Sequence, residues 1–361
     1  MTASLVLTGA GGFLGWHVRV LARSLGLPEP TTIDRSTLAS PARLADALDG
    51  TDRVIHIAGI NRGEPDEVAA GNIELSRQLC AGLRACSTPP KAVVFANSIQ
   101  AGNNTPYGDG KAAAAVLLSE TTRWLGSDFV DVLLPNLFGE HGRPHYNSVV
   151  ATFCRVLADG GTPQVSGDRE LDLLHATDAA AILLGTTDDQ PTVRRTVRQL
   201  ADQLGRFAST YRTAEIPELA DRFDVRLFNT YRSHLAPAPY GLTRHADARG
   251  SLVETVKVHG GGGQTFCSST VPGVTRGQHF HLAKVERFVV VRGEAEICLR
   301  RVLHDDVLRF RVSGKEPAVV DMPTMWAHNI TNVGDGELTT LFWSNDLFDP
   351  ANPDTYAEPV E

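Results

Sequence analysis

Residues 4–15, SLVLTGAGGFLG, join a short apolar β-branched run to three glycines at positions 9, 12 and 15, and nothing else in the chain constrains its fold as strongly. A strand that ends in a glycine turn and continues as a helix is a βα unit. The glycines permit the tight turn and let backbone N–H groups approach an anion at the helix N-terminus. The same rhythm recurs: RVIHIAG (53–59), KAVVFANS (91–98) and FVDVLLPN (129–136) read as buried parallel strands, with 13–25, 64–86 and 108–126 as crossover helices. This predicts a Rossmann-type, doubly wound α/β sheet. Asp34 follows Gly15 by nineteen residues at the end of the next strand, where a carboxylate suits the ribose hydroxyls of NAD. The adjacent Arg35 instead suits the 2′-phosphate of NADPH, so both cofactors stay open. Candidate cofactor residues in this stretch are Gly9, Gly12, Phe13, Leu14, Gly15, Asp34 and Arg35.

From about residue 246 the rhythm becomes short strands broken by Gly and Pro, among them SLVETVKV, GQTFCSSTV, ERFVVVRGEAEICLRRVL and LTTLFWSN. No helix-length amphipathic segment interrupts them, which predicts an all-β antiparallel sandwich or small barrel. At 361 residues the chain exceeds what one core usually serves, so two domains are expected: 1–235, a linker at 236–245, and 246–361. The tetraglycine at 260–263 reads as a mobile hairpin tip. A net charge of -8 without a basic run argues against nucleic acid as a partner. The absence of a signal peptide or a membrane-length apolar segment argues against a membrane and for a cytoplasmic protein. Five scattered cysteines without a C-x-x-C pair read as reduced, buried thiols.

Ser98 closes the third of these strands, and Tyr107 and Lys111 form a Y-x-x-x-K pair at the start of the following helix. Helical spacing places the pair on one face. A nearby ammonium is expected to lower the phenol pKa, so that the tyrosine can exchange a proton with a carbinol while the serine hydroxyl fixes the carbonyl oxygen. Here the chain resembles the extended short-chain dehydrogenase/reductase family, whose catalytic set is such a Ser, Tyr and Lys. HIAG (56–59), Asp178 and LLPNLFGEHGRPHYNS (133–148) match further family segments that border the cofactor and a sugar nucleotide. The resemblance implies Ala58, Gly59 and Lys111 at the cofactor, and Asn61, Asn136 and Arg143 at the substrate. The loop from Ser98 to Tyr107 is shorter than in most of the superfamily.

In GQHFHLAKVERFVVVRG (277–293), His279 and His281 alternate on one strand face, Glu286 follows, and His328 lies in MPTMWAHNITN. Three imidazoles and a carboxylate suit zinc, nickel, iron or manganese; the competing reading is ordinary hydrogen-bonded histidines. The spacing H-x-H-x4-E-x6-G, then P-x4-H-x3-N, resembles the two cupin motifs, which implies a jelly-roll and a metal, zinc first. Met325 stands where that motif commonly has glycine, so the presentation of His328 is expected to differ. DARGSLVE (247–254) and STVPGVTRGQHFH (269–281) further resemble cupins that epimerise 4-keto-6-deoxy nucleotide sugars, and Lys284 is a candidate base. The order reductase then cupin resembles a bifunctional capsular-polysaccharide family. That resemblance implies C3 epimerisation of a UDP-2-acetamido-2,6-dideoxy-4-hexulose, then reduction at C4 with NADPH to UDP-N-acetyl-L-talosamine, a precursor of the L-fucosamine sugar. It also implies a UDP-sugar substrate, NAD as the alternative cofactor, and a homodimer. The alternative reading is a 4-keto-sugar reductase, 4-epimerase or dehydratase whose cupin does other metal chemistry or serves only binding and dimerisation.

Overall fold

The computed structural model describes residues 4–361, so the first three residues of the expected 1–235 segment lie outside it. The elements follow the anticipated alternation: β1 (Leu5–Thr8), α1 (Phe13–Ser24), β2 (Thr31–Ile33), α2 (Arg35–Leu38), α3 (Pro41–Leu48), β3 (Arg53–His56), α4 (Pro65–Ala85), β4 (Ala92–Ser98), α5 (Pro106–Leu125) and β5 (Asp128–Leu134). The five strands pair in parallel in the order β2-β1-β3-β4-β5. The order reverses between β1 and β3, and an open α/β sheet places its ligand crevice beyond the carboxyl ends of strands at such a switch. Both loops that leave these ends, 9–12 and 57–60, carry predicted cofactor residues. Then come β6 (Asn136–Phe138), α6 (Val149–Ala158), β7 (Glu170–His175), α7 (Ala176–Leu184) and β8 (Val193–Thr196), with β6, β7 and β8 in a second small sheet.

Two helices are placed by sharp local signals. In α5, Thr105 accepts the Gly108 N–H at 3.1 Å as N-cap, Pro106 opens the first turn, and Gly126 ends the helix at φ +75°. A Cβ on Gly108 would overlap the Gln100 carbonyl and the Asn103 side chain, so the short serine-to-tyrosine loop can cross the helix start only over a glycine. Helix α4 opens on Pro65, and its Ala69 backbone would lie 2.9 Å from a Cβ on Gly110. That close approach seats the Tyr107–Lys111 turn against the neighbouring helix.

The chain continues as α8 (Val197–Tyr211), α9 (Arg222–Arg232), β9 (Tyr240–Gly241), β10 (Arg244–Asp247), β11 (Gly250–Val253), β12 (Gln264–Thr270), β13 (Thr275–Phe280), β14 (Glu286–Arg292), β15 (Glu294–Arg301), β16 (Val307–Ser313), β17 (Ala318–Met322), β18 (Trp326–Asn332), β19 (Leu338–Ser344) and β20 (Tyr356–Ala357). Strands β10 and β11 form a hairpin of their own; the others make two antiparallel five-stranded sheets, β12-β19-β14-β17-β9 and β16-β15-β18-β13-β20. Phe288, Val290, Met322, Phe342 from one sheet and Ile297, Ile330 from the other fill a shared buried core. The expected all-β antiparallel second half is therefore present.

By packing, the chain forms two compact units. One holds the described residues to Phe138, Gly142–Thr152 and Arg169–Thr196; the other holds Gly139–His141, Phe153–Asp168 and Val197–Glu361. Helices α8 and α9 thus pack with the C-terminal strands. Tyr211 Oη donates to Asp321 at 2.6 Å, and the buried Arg287 grips the same carboxylate at 2.6 and 2.8 Å. Arg232 donates to the Met322 carbonyl and Asn229 to the Ala283 carbonyl, both at 2.6 Å.

Two expectations change. The tetraglycine is no hairpin tip: β11 pairs back to β10, and residues 257–259 bond instead to Ile216. A Cβ on Gly263 would fall 2.6 Å from the Ser344 carbonyl, so these glycines permit close packing. Of the cysteines, Cys80, Cys154 and Cys298 are buried, but Cys267 is exposed and Cys86 half-buried. Among the described residues no helix is long and apolar enough to cross a membrane.

Candidate active site and metal centre

The turn after β1 has the shape that a pyrophosphate needs. Gly9 sits at φ +73°, where a Cβ would lie 2.8 Å from the Ala58 amide, and a Cβ on Gly15 would overlap the Gly9 carbonyl. Only glycine fits either place. Gly12 caps α1 with no side-chain acceptor, which leaves the N–H groups at Phe13 and Leu14 aimed out of the helix start for an anion. The cradle therefore fits a dinucleotide.

A buried network fixes the facing loop. Thr8 Oγ1 lies 2.7 Å from His56 Nδ1 and accepts the Ile57 and Ala58 amides at 3.2 Å. Asn72 accepts the Ile60 amide at 3.2 Å and donates to the Ile60 and Val68 carbonyls. Thr8, His56 and Asn72 were not among the predicted site residues. For Thr8 and His56 the available signal was a polar group in an otherwise apolar, buried strand; Asn72, in the amphipathic α4, carried none.

Burial lowers the His56 pKa from 6.5 to about 3, with the Lys111 charge acting in the same direction. Between those values the unfolded chain binds the proton that the folded one refuses. Stability therefore rises with pH through this window and is lost as pH falls from 6.5 toward 3. A His56→Gln variant should be less stable at pH 7 but show a flatter loss between pH 6.5 and 4 in thermal unfolding; parallel curves would contradict this.

Asp34 caps α2, accepting the Thr37 amide at 2.7 Å and the Ser36 hydroxyl at 3.0 Å, and these bonds hold its carboxyl below the usual range. It therefore stays anionic, beside the exposed Arg35.

Ser98 ends β4, where its hydroxyl accepts the Gln100 amide at 3.1 Å, and Tyr107 lies in the first turn of α5. The phenol nevertheless departs from expectation. Burial raises its pKa, and the neighbouring Ser98 hydroxyl only opposes that rise. Lys111 is buried and donates to the Ala96 carbonyl at 2.7 Å, its ammonium 4.0 Å from the centre of the Phe95 ring. Burial brings its pKa down to about 7, against the attraction of Asp131. The three predicted residues are thus brought to one end of β4. Of the predicted substrate residues, the Asn61 carbonyl accepts from Asn147 at 2.6 Å and Asn136 donates to the Asp172 carbonyl at 3.2 Å. The Arg143 guanidinium sits 4.8 Å from the centre of the Tyr146 ring.

In the second unit, the donor atoms of His279, His281, Glu286 and His328 all lie within 4.8 Å of one another. His279 pairs with His328 across β13 and β18, and Glu286 opens β14. His281 Nδ1 lies 2.5 Å from the Asp354 carbonyl and His328 Nδ1 3.2 Å from the Trp326 carbonyl. A carbonyl only accepts, so each Nδ1 is a donor there, and Nε2 is the nitrogen turned inward. Both Nε2 atoms lie close to the Glu286 carboxylate, at 3.1 and 3.4 Å. Three imidazole nitrogens and one carboxylate oxygen gathered this closely are a donor set that fits a divalent first-row metal. Burial lowers the His328 pKa, and burial with the neighbouring imidazoles brings His279 to about 3.

Met325 resolves the question of His328. It adopts φ +61°, the left-handed conformation for which glycine is usual, and is fully buried. Its amide donates to the His281 carbonyl at 2.7 Å and its carbonyl accepts the Val302 amide at 3.0 Å. The turn keeps its shape without glycine. Relief of the left-handed strain is worth about 1–3 kcal/mol, whereas removing a buried methionine side chain costs about 2–5 kcal/mol. Met325→Gly should therefore lower the thermal midpoint by several degrees while leaving zinc affinity within about threefold; an unchanged midpoint would show that the strain dominates. Lys284 Nζ donates to the Pro353 carbonyl at 2.7 Å and lies 3.4 Å from the Thr355 hydroxyl, tied to the C-terminal segment.

Residues 5–192 match the NAD dependent epimerase/dehydratase family, and residues 245–356 match the polysaccharide biosynthesis C-terminal domain. A UDP-2-acetamido-2,6-beta-L-arabino-hexul-4-ose reductase of Pseudomonas aeruginosa is 31% identical, across 98% of each chain. The capsular polysaccharide assembling protein CapF of Staphylococcus aureus is 32% identical, covering 99% of this chain and 100% of that one, with a TM-score of 0.60. UDP-glucose 4-epimerase of Thermotoga maritima, 19% identical over 57% of this chain and 82% of its own, has a TM-score of 0.50 and shares the fold.

Proposed function

Because the chain belongs to the NAD-dependent epimerase/dehydratase family, with a polysaccharide biosynthesis domain at its C-terminal end, we propose that it is a bifunctional nucleotide-sugar enzyme, a C3 epimerase and C4 reductase. The observation that carries this reading is the convergence of His279, His281, Glu286 and His328 within 4.8 Å in the same chain as Ser98, Tyr107 and Lys111. Residues 1–235 carry the reductase chemistry, 236–245 link, and 246–361 form a cupin jelly-roll; a homodimer is part of the proposal. The substrate is a UDP-2-acetamido-2,6-dideoxy-4-hexulose, a choice supported by the Pseudomonas relative's named substrate.

The chemistry sets the order of steps. Only the C4 ketone makes the C3 hydrogen acidic, so epimerisation precedes reduction. A divalent ion, zinc first, supplies electrophilic stabilisation of the developing enolate when bound by His279, His281, Glu286 and His328. NADPH, with NADH as the alternative that the Asp34 charge favours, supplies the hydride when bound. The Tyr107 phenol, kept protonated by burial, gives its proton to the C4 oxygen, and Ser98 holds that oxygen in place. Lys111 is the ribose ligand and the electrostatic partner of the phenol in this reading. Asn61, Asn136 and Arg143 belong to the substrate side, and Ala58 and Gly59 to the cofactor side.

Incubation of the 4-keto sugar with the protein in deuterated water should place deuterium at C3 without any nicotinamide cofactor. No solvent deuterium at C3, with NADPH present or absent, overturns the epimerase half.

A further inference from the structure

The metal ligands His281 and Glu286 stand at the two ends of a four-residue loop, 282–285, between β13 and β14. None of its backbone N–H groups points to solvent. The Leu282, Ala283 and Lys284 amides all donate to the Asp354 carboxylate, at 2.9, 2.9 and 2.7 Å. The fourth, of Val285, donates to Asn345 Oδ1 at 2.7 Å, and the Asn345 amide returns a bond to the Val285 carbonyl at 3.2 Å. Asp354 also adopts φ +43°, a left-handed conformation costly for a residue with a side chain, and its own carbonyl faces His281 Nδ1. One residue thus sets both the path of the loop and the tautomer of a ligand.

We propose that Asp354, with Asn345, is the positioning element of the metal centre: it latches the ligand loop from the C-terminal segment and holds His281 and Glu286 in register before any ion arrives. This rests on the metal reading above. A carboxylate that accepts three N–H groups at once is charge-assisted and geometrically exacting, and outer partners of metal ligands commonly govern affinity by about 10–100-fold. An amide at this place offers one acceptor oxygen and sets an N–H₂ against the amides of the loop.

Zinc affinity, read by competition with a chromogenic chelator, should fall tenfold or more in Asp354→Asn, with the near-ultraviolet circular dichroism of the metal-free protein unchanged as the check on folding. Affinity within twofold of the native protein overturns the proposal. Hydrogen exchange on the native protein gives an arm independent of any variant. The amides of 282–285 should be protected in metal-stripped protein as they are with zinc. Fast exchange that only zinc suppresses would mean that the ion builds the loop, and overturns the proposal. If the native protein takes up neither zinc, manganese, nickel nor iron(II), the metal reading itself fails, and this inference with it.

Discussion

Tyr107→Phe is expected to slow NADPH oxidation on the 4-keto nucleotide sugar by about 10²–10⁴-fold, the usual worth of a positioned general acid. The ring is partly buried at the start of α5, so phenylalanine keeps the packing and removes only the hydroxyl. What is lost is the proton for the C4 oxygen. Burial raises the phenol pKa, so at neutral pH the hydroxyl holds its proton, as an acid in the reducing direction requires. Deuterium uptake at C3, which draws on the other unit, should be unchanged in this variant. Steady-state oxidation of NADPH beside the C3 exchange assay measures both. Turnover retained within tenfold would show that Tyr107 is not the acid.

The parallel sheet and its glycine turn were legible because they follow from local rules: a period-two or continuous apolar run, a glycine where φ is positive, and a cap at a helix start. The clustering of His279, His281, Glu286 and His328 was legible for the same reason, since alternation on a strand places His279 and His281 on one face. What escaped the sequence was set by groups far apart in it. Asp354 reaches its loop from 72 residues beyond Leu282, and Tyr211 meets Asp321 across 110 residues. No pattern of spacing marks such pairs. Met325 was misread for a different cause. A glycine position in a motif marks a backbone conformation, and a buried methionine can be forced into it when hydrogen bonds on both its amide and its carbonyl hold it there. The Lys111 ammonium followed the same lesson: helical spacing put it on the face of Tyr107, but the nearest strong acceptor, the Ala96 carbonyl, decided where it points.

The second large effect belongs to the metal centre. His279→Ala with His281→Ala leaves only Glu286 and His328, one carboxylate and one imidazole, which cannot complete a tetrahedral shell. Purified variant protein should contain no stoichiometric metal, and C3 deuterium uptake should fall to the uncatalysed background, whereas NADPH binding persists because Gly9, Gly12 and Gly15 lie in the other unit. Thermal unfolding of the metal-free variant beside metal-free native protein reports what the loss of two rings and of the His281–Glu286 contact at 3.1 Å costs the fold, and a variant that stays folded at the assay temperature shows the lost exchange to be chemical in origin. Sedimentation separates this from a structural use of the site. An unchanged sedimentation coefficient with lost exchange is the expected pair. Exchange that survives while the assembly dissociates would mean that the ion holds protomers together, and that the strands around His279 serve binding, with epimerisation carried elsewhere.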